Sequence, residues 1–255
     1  MKMSESTNML AGAVSVLAAI RGGHRDILKI FIDRERLNKV KSTKFRAAEK
    51  MQYAQLLRYA DKNSVTVEYR PPEFFHSLSN TCGGIAAEVT ERKYMSPEFL
   101  CNKPVPFFVY LTGIEDPFNF GYALRSLYLS GCDGVFLPPR NFFGAADVVV
   151  RSSAGASELL DIAISHDDDD LVSMMKENSI RIVCTSKDGA AAAEPGVLTK
   201  PLLLVIGGEK RGISASFSRH ADVSVRIDYA VKSEIALPAS SAACLLSFAV
   251  MAANR

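Results

Sequence analysis

Apolar positions along this chain recur at two spacings, and the alternation between them lays out the elements. Near the start, Met9, Ala13, Leu17 and Ile20 fall at helical spacing and predict a helix on or docked against the surface, rather than a secretory leader. "ILKIFID" follows as a strand. "KFRAAEKMQYAQLLRYADKN" predicts a helix whose apolar face carries Ala47, Met51, Ala54 and Leu57. "VTVEYR" alternates with period two, "EFFHSLS" reads as a short helix, and "GGIAAEVT" returns as a strand. Strand, helix, strand, helix, strand predicts a small α/β domain over residues 1–92. The charged, three-proline stretch "ERKYMSPEFLCNKPVP" predicts a linker over 93–105.

A second α/β pattern fills 106–255. It opens on the apolar run "FFVYL" and continues with a helix after Asn119, "GVFLP", a helix near Ala145 to Ser152, and "IRIVCT". "PLLLVIGG" is a branched apolar run ending in glycines, as a buried parallel strand does. "ADVSVRI" is a further strand, and "ASSAACLLSFAVMAAN" a small-residue closing helix. The run Asp167 to Asp170 precedes "LVSMMKEN" and reads as anions at a helix N-terminus.

Composition changes this picture little. With 255 residues, 48% hydrophobic and 23% charged, the chain is long enough for a sizeable core and has no run that would span a bilayer. Its five cysteines are scattered without a C-x-x-C pair, which suits a reducing cytoplasm. The four histidines form no metal-ligand pattern, so no metal is expected. Charge is more informative. Residues 1–105 hold 17 Lys/Arg against 11 Asp/Glu, whereas 106–255 hold 13 against 17. "RERLNKVKSTKFRAAEK" alone carries seven cations and two anions, which fits either a phosphate-facing surface or a solvated helix face.

Three stretches could carry chemistry, and each follows a predicted strand, where open parallel sheets bind ligands. In "DPFNFGYALRS", Asn119, Gly121 and Arg125 form N-x-G-x-x-x-R. A permanently charged guanidinium suits phosphate or a developing oxyanion; the same spacing also fits a helix cap and a surface Arg. "VIGGEKRGIS" is glycine-rich but is neither a G-x-G-x-x-G nor a G-K-[ST] loop. Its glycines let backbone approach a flat ligand, or simply turn the chain. "RIDYAVKSEIALPASSAACLL" leads from a strand end through a loop to a Pro-led helix bearing Ser240 and Ser241, which serves equally for ligand contact or close packing.

In this order the three stretches resemble the SpoU (TrmH) class of the SPOUT RNA methyltransferases, over nearly the whole chain. "DPFNFGYALR" matches the first motif, "RSSAGASELL" is similar to the family's S-A-G-A segment, and "VIGGEKRGIS" matches the second motif at Gly207, Glu209 and Gly212. The front half, ending "NTCGGIAAEV", is similar to the small substrate-binding domain that often precedes the catalytic one, with Gly83-Gly84 where Gln-Gly is usual. The third motif departs from the pattern. Asp228-Tyr229 follow Ile227, and Pro238 stands where the family has Asn.

The resemblance implies a parallel-sheet α/β domain with a C-terminal trefoil knot, preceded by a small α/β substrate-binding domain. It implies S-adenosylmethionine held by Ile206, Gly207, Gly208, Ile227 and Leu237, methyl transfer to a ribose 2′-hydroxyl of tRNA or rRNA, and a homodimer. Arg125 would anchor a phosphate and stabilise the alkoxide, Asn119 and Ser240 would position the target, and Glu209 would hold the geometry. Arg34, Arg36, Lys39, Lys41, Lys44 and Arg46 would contact RNA phosphates. Two other readings stand beside this one. Pro238 motivates a non-catalytic RNA-binding relative. A Rossmann-type dehydrogenase is the other, opposed by the missing G-x-G-x-x-G.

Overall fold

Two sheets organise the chain. The computed structural model describes residues 7–41, 46–79, 81–139, 146–208, 212–231 and 235–255, with the side chains of Thr7 and Lys41 outside that description. By contact the chain divides into one unit of residues 1–93 with 143–159, and a second of 94–142 with 160–255.

The first unit is built on strands β1 (Thr7–Ala11), β2 (Ile27–Asp33), β3 (Thr66–Arg70) and β4 (Ile85–Thr90), in the order β1-β4-β2-β3. β4 runs antiparallel to both β1 and β2, and β3 pairs parallel with β2. Helices α1 (Ala13–Gly22), α2 (Arg34–Lys41), α3 (Ala47–Lys62) and α4 (Pro72–Leu78) connect the strands. Leu10, Val16, Ile30, Ile32, Leu56 and Ile85 form its core.

Several expectations change here. The helix expected across Met9 to Ile20 is a strand and a helix. Residues 7–11 pair with β4, and Gly12, at φ 93°, turns the chain into α1. α1 is no surface helix either, since Val16, Leu17, Ala18 and Ala19 are buried. On α3 the buried face is Tyr53, Leu56 and Ala60, while Met51 of the expected face is 58% exposed. Tyr53 outweighs Met51 because its ring fills the core while its hydroxyl donates to Gly83 O at 3.3 Å.

Residues 143–159 read in sequence as part of the second domain but group with the first unit. Their helices, α7 (Ala146–Ser152) and α8 (Ala156–Leu159), pack on β1 and α1 respectively. A buried cluster fixes them. Glu158 meets Arg25 Nε at 3.0 Å and Arg92 Nη1 at 3.5 Å, with all three side chains at most 1% exposed. Arg25 also donates to Thr90 O and Arg92 to Ser157 O. Two guanidiniums around one carboxylate pair the buried charges, and each of the three side chains makes at least one hydrogen bond or close ion contact.

The second unit holds six parallel strands in the order β10-β8-β9-β5-β6-β7. These are β5 (Phe107–Leu111), β6 (Gly134–Leu137), β7 (Ile162–Ile164), β8 (Arg181–Ala191), β9 (Leu202–Ile206) and β10 (Val223–Arg226). β7 is an element the hydrophobic pattern missed, being three residues long. β5 and β9 are buried at every position, as central strands covered on both faces must be. On one face Phe108, Tyr110, Leu203 and Val205 pack against helices α5 (Pro97–Cys101), α9 (Asp168–Glu177) and α10 (Ala215–His220). α5 occupies the expected linker, with Leu100 and Cys101 buried. The opposite face carries α6 (Pro117–Leu129) and α11 (Ala239–Ala253), which pack on each other. The aspartate run caps α9 as expected, Asp167 accepting from the amides of Asp169 and Asp170. Among the described residues no helix is long and apolar enough to cross a membrane.

Candidate methyltransferase site

The carboxyl ends of β9, β8 and β10 and the start of α11 surround one pocket of about 760 Å³. Ile206, Gly207, Gly208, Ile227 and Leu237 all line it, so the five residues expected at the cofactor are brought together. Gly207, Gly208 and Gly212 bring main chain into its wall. A Cβ on Gly208 would stand 2.4 Å from Gly113 Cα, so the loops after β9 and β5 touch backbone to backbone. Gly212 N donates to Gly208 O at 2.9 Å and closes the loop on itself.

Thr185, Ser186 and Lys187 also line the pocket, and the sequence reading passed over them. β8 pairs with β10 through Cys184 and resumes at Ala190, so residues 185–189 bulge from the ladder into the pocket wall. The signal was available: "IRIVCTSKDG" ends a parallel strand in hydroxyls and a Gly turn. Arg226 holds the bulge, donating to Gly189 O at 2.6 Å and to Asp228 Oδ1 at 2.8 Å. Tyr229 closes the other side, its hydroxyl accepting from Leu237 N at 3.1 Å.

α6 begins beside this pocket because the Gly113–Gly208 contact ties the preceding loop to β9. Asp116 caps the helix, accepting from Asn119 N at 2.8 Å, and Pro117 occupies the first turn. Asn119 and Arg125 are both exposed and do not line the pocket. Six residues apart, they project about 120° from one another around the helix, with exposed Tyr122 between them. Pro238 takes the N-cap position of α11 without a side-chain cap, its carbonyl accepting from Ser241 and Ala242 N. Pro238 lines the pocket, while Ser240, half-buried in the first turn of α11, does not. Glu209 lies outside the described residues.

The expected phosphate-binding cations are not one stripe. Arg34 is exposed, its guanidinium 4.7 Å over the Tyr69 ring. Arg36 turns to Glu49 at 3.7 Å. Lys39 and Arg46 are exposed, and Lys44 and the Lys41 side chain lie outside the described residues.

A parallel α/β unit with a glycine-bearing pocket at its strand carboxyl ends is the architecture of a cofactor- or nucleotide-binding domain. The chain belongs to the SpoU rRNA methylase family, whose sequence model matches residues 106–245. It is therefore a SpoU-family RNA methyltransferase, and the dehydrogenase alternative falls. Among its relatives, the putative TrmH family tRNA/rRNA methyltransferase YacO of Bacillus subtilis is 28% identical over 207 residues, 79% of this chain and 83% of that protein. A putative TrmH family tRNA/rRNA methyltransferase of Staphylococcus haemolyticus is 27% identical over 248 residues, covering 95% and 94%. The fold is that of the SpoU methyltransferase AviRb of Streptomyces viridochromogenes, solved with AdoMet, at TM-score 0.76, 20% identity and 98% and 92% coverage. A solved RNA 2′-O ribose methyltransferase superposes at TM-score 0.73, with 20% identity and 98% and 90% coverage.

Proposed function

We propose that the protein transfers a methyl group from S-adenosylmethionine to a ribose 2′-hydroxyl of tRNA or rRNA. The observation that carries this reading is the pocket at Ile206–Gly208, Ile227 and Leu237, whose wall touches the loop leading to α6 at Gly113–Gly208. Glycine main chain offers amides and carbonyls to a flat purine and a charged amino acid, and the Ile and Leu side chains offer apolar cover. S-adenosylmethionine, when bound, supplies a methyl group already activated on a sulfonium.

The chain's own groups then orient the RNA and handle charge. A guanidinium is a poor base, so Arg125 anchors a phosphate and stabilises the alkoxide. Asn119, Ser240 and Glu209 position the target hydroxyl and that guanidinium. The proton leaves to water or a phosphate oxygen. Arg34, Lys39, Arg46 and their neighbours Arg36, Lys41 and Lys44 contact RNA phosphates, which makes binding salt-dependent.

The working form is a homodimer. Phe118, Tyr122 and Leu129 of α6 and Leu245 and Phe248 of α11 are exposed on two helices that pack side by side. An apolar face of that kind suits a second copy, which would put Arg125, on the same face, at the subunit boundary. A knotted C-terminal chain belongs to this reading through the family likeness. The free thiols support a cytoplasmic protein.

The test is transfer of labelled methyl from S-adenosylmethionine to total RNA, followed by nucleoside analysis. Label in 2′-O-methyl nucleosides is expected, and label on a base would overturn the reaction. Cofactor binding without any product would favour the second reading, a non-catalytic RNA-binding relative, which rests on Pro238 at the α11 N-cap.

A further inference from the structure

The chain between β10 and α11 walls the methyl-transfer pocket at both of its ends. Ile227 and Tyr229 line the pocket on leaving β10, and Ile235, Leu237 and Pro238 line it on entering α11. Packing does little to hold these residues. Ile235 is 82% exposed, Tyr229 44% and Leu237 37%, so burial of their side chains contributes only a fraction of what a core position supplies.

Hydrogen bonds hold them instead. On the β10 side, Arg226 donates from Nη1 to Gly189 O at 2.6 Å and from Nε to Asp228 Oδ1 at 2.8 Å, which anchors the residue just before Tyr229. On the α11 side, Pro238 O accepts from Ser241 and Ala242 N, which anchors the residue just after Leu237. Between these two fixed points Leu237 N donates to the Tyr229 phenol oxygen at 3.1 Å. Pro238, next in the chain, has no amide hydrogen to share in that bond. The Tyr229 hydroxyl therefore sets the spacing between the strand end and the helix start, which is the width of the pocket there.

We infer that Tyr229 is a positioning residue for S-adenosylmethionine: its phenol clasps Leu237 and holds the two ends of this segment in the binding geometry before the cofactor arrives. The inference rests on the cofactor reading of this pocket. Without the phenol oxygen the two ends separate in part, and the apparent dissociation constant rises by the reciprocal of the fraction that stays closed. Once the cofactor is bound the segment is closed again, so the transfer step itself is unchanged.

Tyr229→Phe tests it, since it removes one oxygen atom and keeps the ring. In calorimetry the variant should bind S-adenosylmethionine roughly three- to tenfold more weakly than wild type, the range that one neutral hydrogen bond supplies. Its unfolding midpoint should stay within about 2 °C of wild type. In methyl transfer to total RNA, KM for S-adenosylmethionine should rise by the same factor with kcat unchanged. Amide hydrogen exchange in the ligand-free protein reads the clasp itself, and Leu237 N–H should exchange at least roughly threefold faster in the variant. Tyr128→Phe makes the same change at an exposed α6 tyrosine that does not line the pocket, and it should match wild type throughout. Equal cofactor affinity, or equal Leu237 exchange, in Tyr229→Phe and wild type overturns the clasp and leaves the function standing. A lowered kcat at unchanged KM also overturns it, by assigning Tyr229 to the transfer step. Wild type that protects Leu237 N–H but binds no S-adenosylmethionine overturns the cofactor reading, and this inference with it.

Discussion

Gly208→Ala is the sharpest perturbation of the methyl-transfer pocket. An alanine Cβ at 208 would lie 2.4 Å from Gly113 Cα, 2.7 Å from Gly113 O and 2.9 Å from Gly113 C. Non-bonded carbons rest about 3.5–4.0 Å apart, so the two loops must part by more than about 1 Å. Neither can do so freely. Leu111 pairs with Ile206, and Thr112 N donates to Ile206 O at 3.1 Å, immediately before both glycines. Overpacking costs about 1–3 kcal/mol, and the upper half of that range applies because main chain meets main chain. A loss of about 2–3 kcal/mol lowers Tm by roughly 4–12 °C for a protein of this size. Thermal unfolding measures that loss, and calorimetry should show S-adenosylmethionine binding at least roughly tenfold weaker, since about 1 Å of misplacement is costly at a preorganised site. Gly131→Ala is the control. Gly131 has a positive φ, of 79°, which Gly208 does not, and a Cβ there meets nothing within 4 Å, so the control carries backbone strain without a clash and cofactor affinity should hold. A Gly208→Ala protein with wild-type Tm and wild-type affinity would refute the backbone contact on which the pocket is built.

Other substitutions probe the remaining parts. Arg125→Ala should abolish methyl transfer with S-adenosylmethionine affinity within about twofold of wild type, because Arg125 does not line the pocket; lost cofactor binding would mean the wrong ligand has been assigned to it. Glu158→Gln leaves Arg25 and Arg92 buried without their anion and should cost about 3–5 kcal/mol in chemical denaturation, whereas a loss below about 1 kcal/mol would mean water reaches the cluster. The Tyr53 phenol is pushed up to about 12, chiefly by burial, with Asp33 and Glu49 adding and Arg36 opposing. The fold thus holds the neutral form, and this contribution to stability is intact below about pH 10, where the unfolded phenol begins to ionise, and is lost as pH rises to about 12. Tyr53→Phe should remove that share of the alkaline decline in Tm, and parallel curves for the two proteins would contradict the assignment.

What could be read from sequence was local. "FFVYL" and "LLLVI" declare central parallel strands because both of their faces are covered, and "DPFN" declares a helix start because Asp and Pro each have one good place there. The β7 strand and the strand at Met9 escaped for a common reason. Both are short and are held by their neighbours, β1 by its antiparallel ladder to β4 and β7 by β6. The face of α3 was misjudged by treating Met51 and Tyr53 as equivalent apolar residues. The hydroxyls and Gly turn after "IRIVC" marked a strand end, but the β8 bulge itself could not be placed because its register is set by pairing with β10, some forty residues on. The pocket residues were found through motif likeness, since glycines and a lone Ile or Leu carry no chemical signature of their own.

The segment 143–159 shows how far such non-local determinants reach. Its apolar pattern, Val149, Val150 and Leu159 among small residues, would suit either unit. The decision comes from charge. Glu158 is fully buried and can be so only where Arg25 and Arg92 meet it, and both cations belong to the front of the chain. Once that cluster forms, Asp147 accepts from Ala11 N at 3.0 Å, and Arg151 follows on the same helix face to reach Ser79. The ion cluster thus does more than anchor a stray hairpin of helices. It delivers Arg151 to a cavity wall of the front unit, although that residue is encoded between two strands of the second sheet. Loosening the cluster should therefore free α7 and α8 from β1 and α1, and hydrogen exchange of the α7 amides in Glu158→Gln reads that release directly.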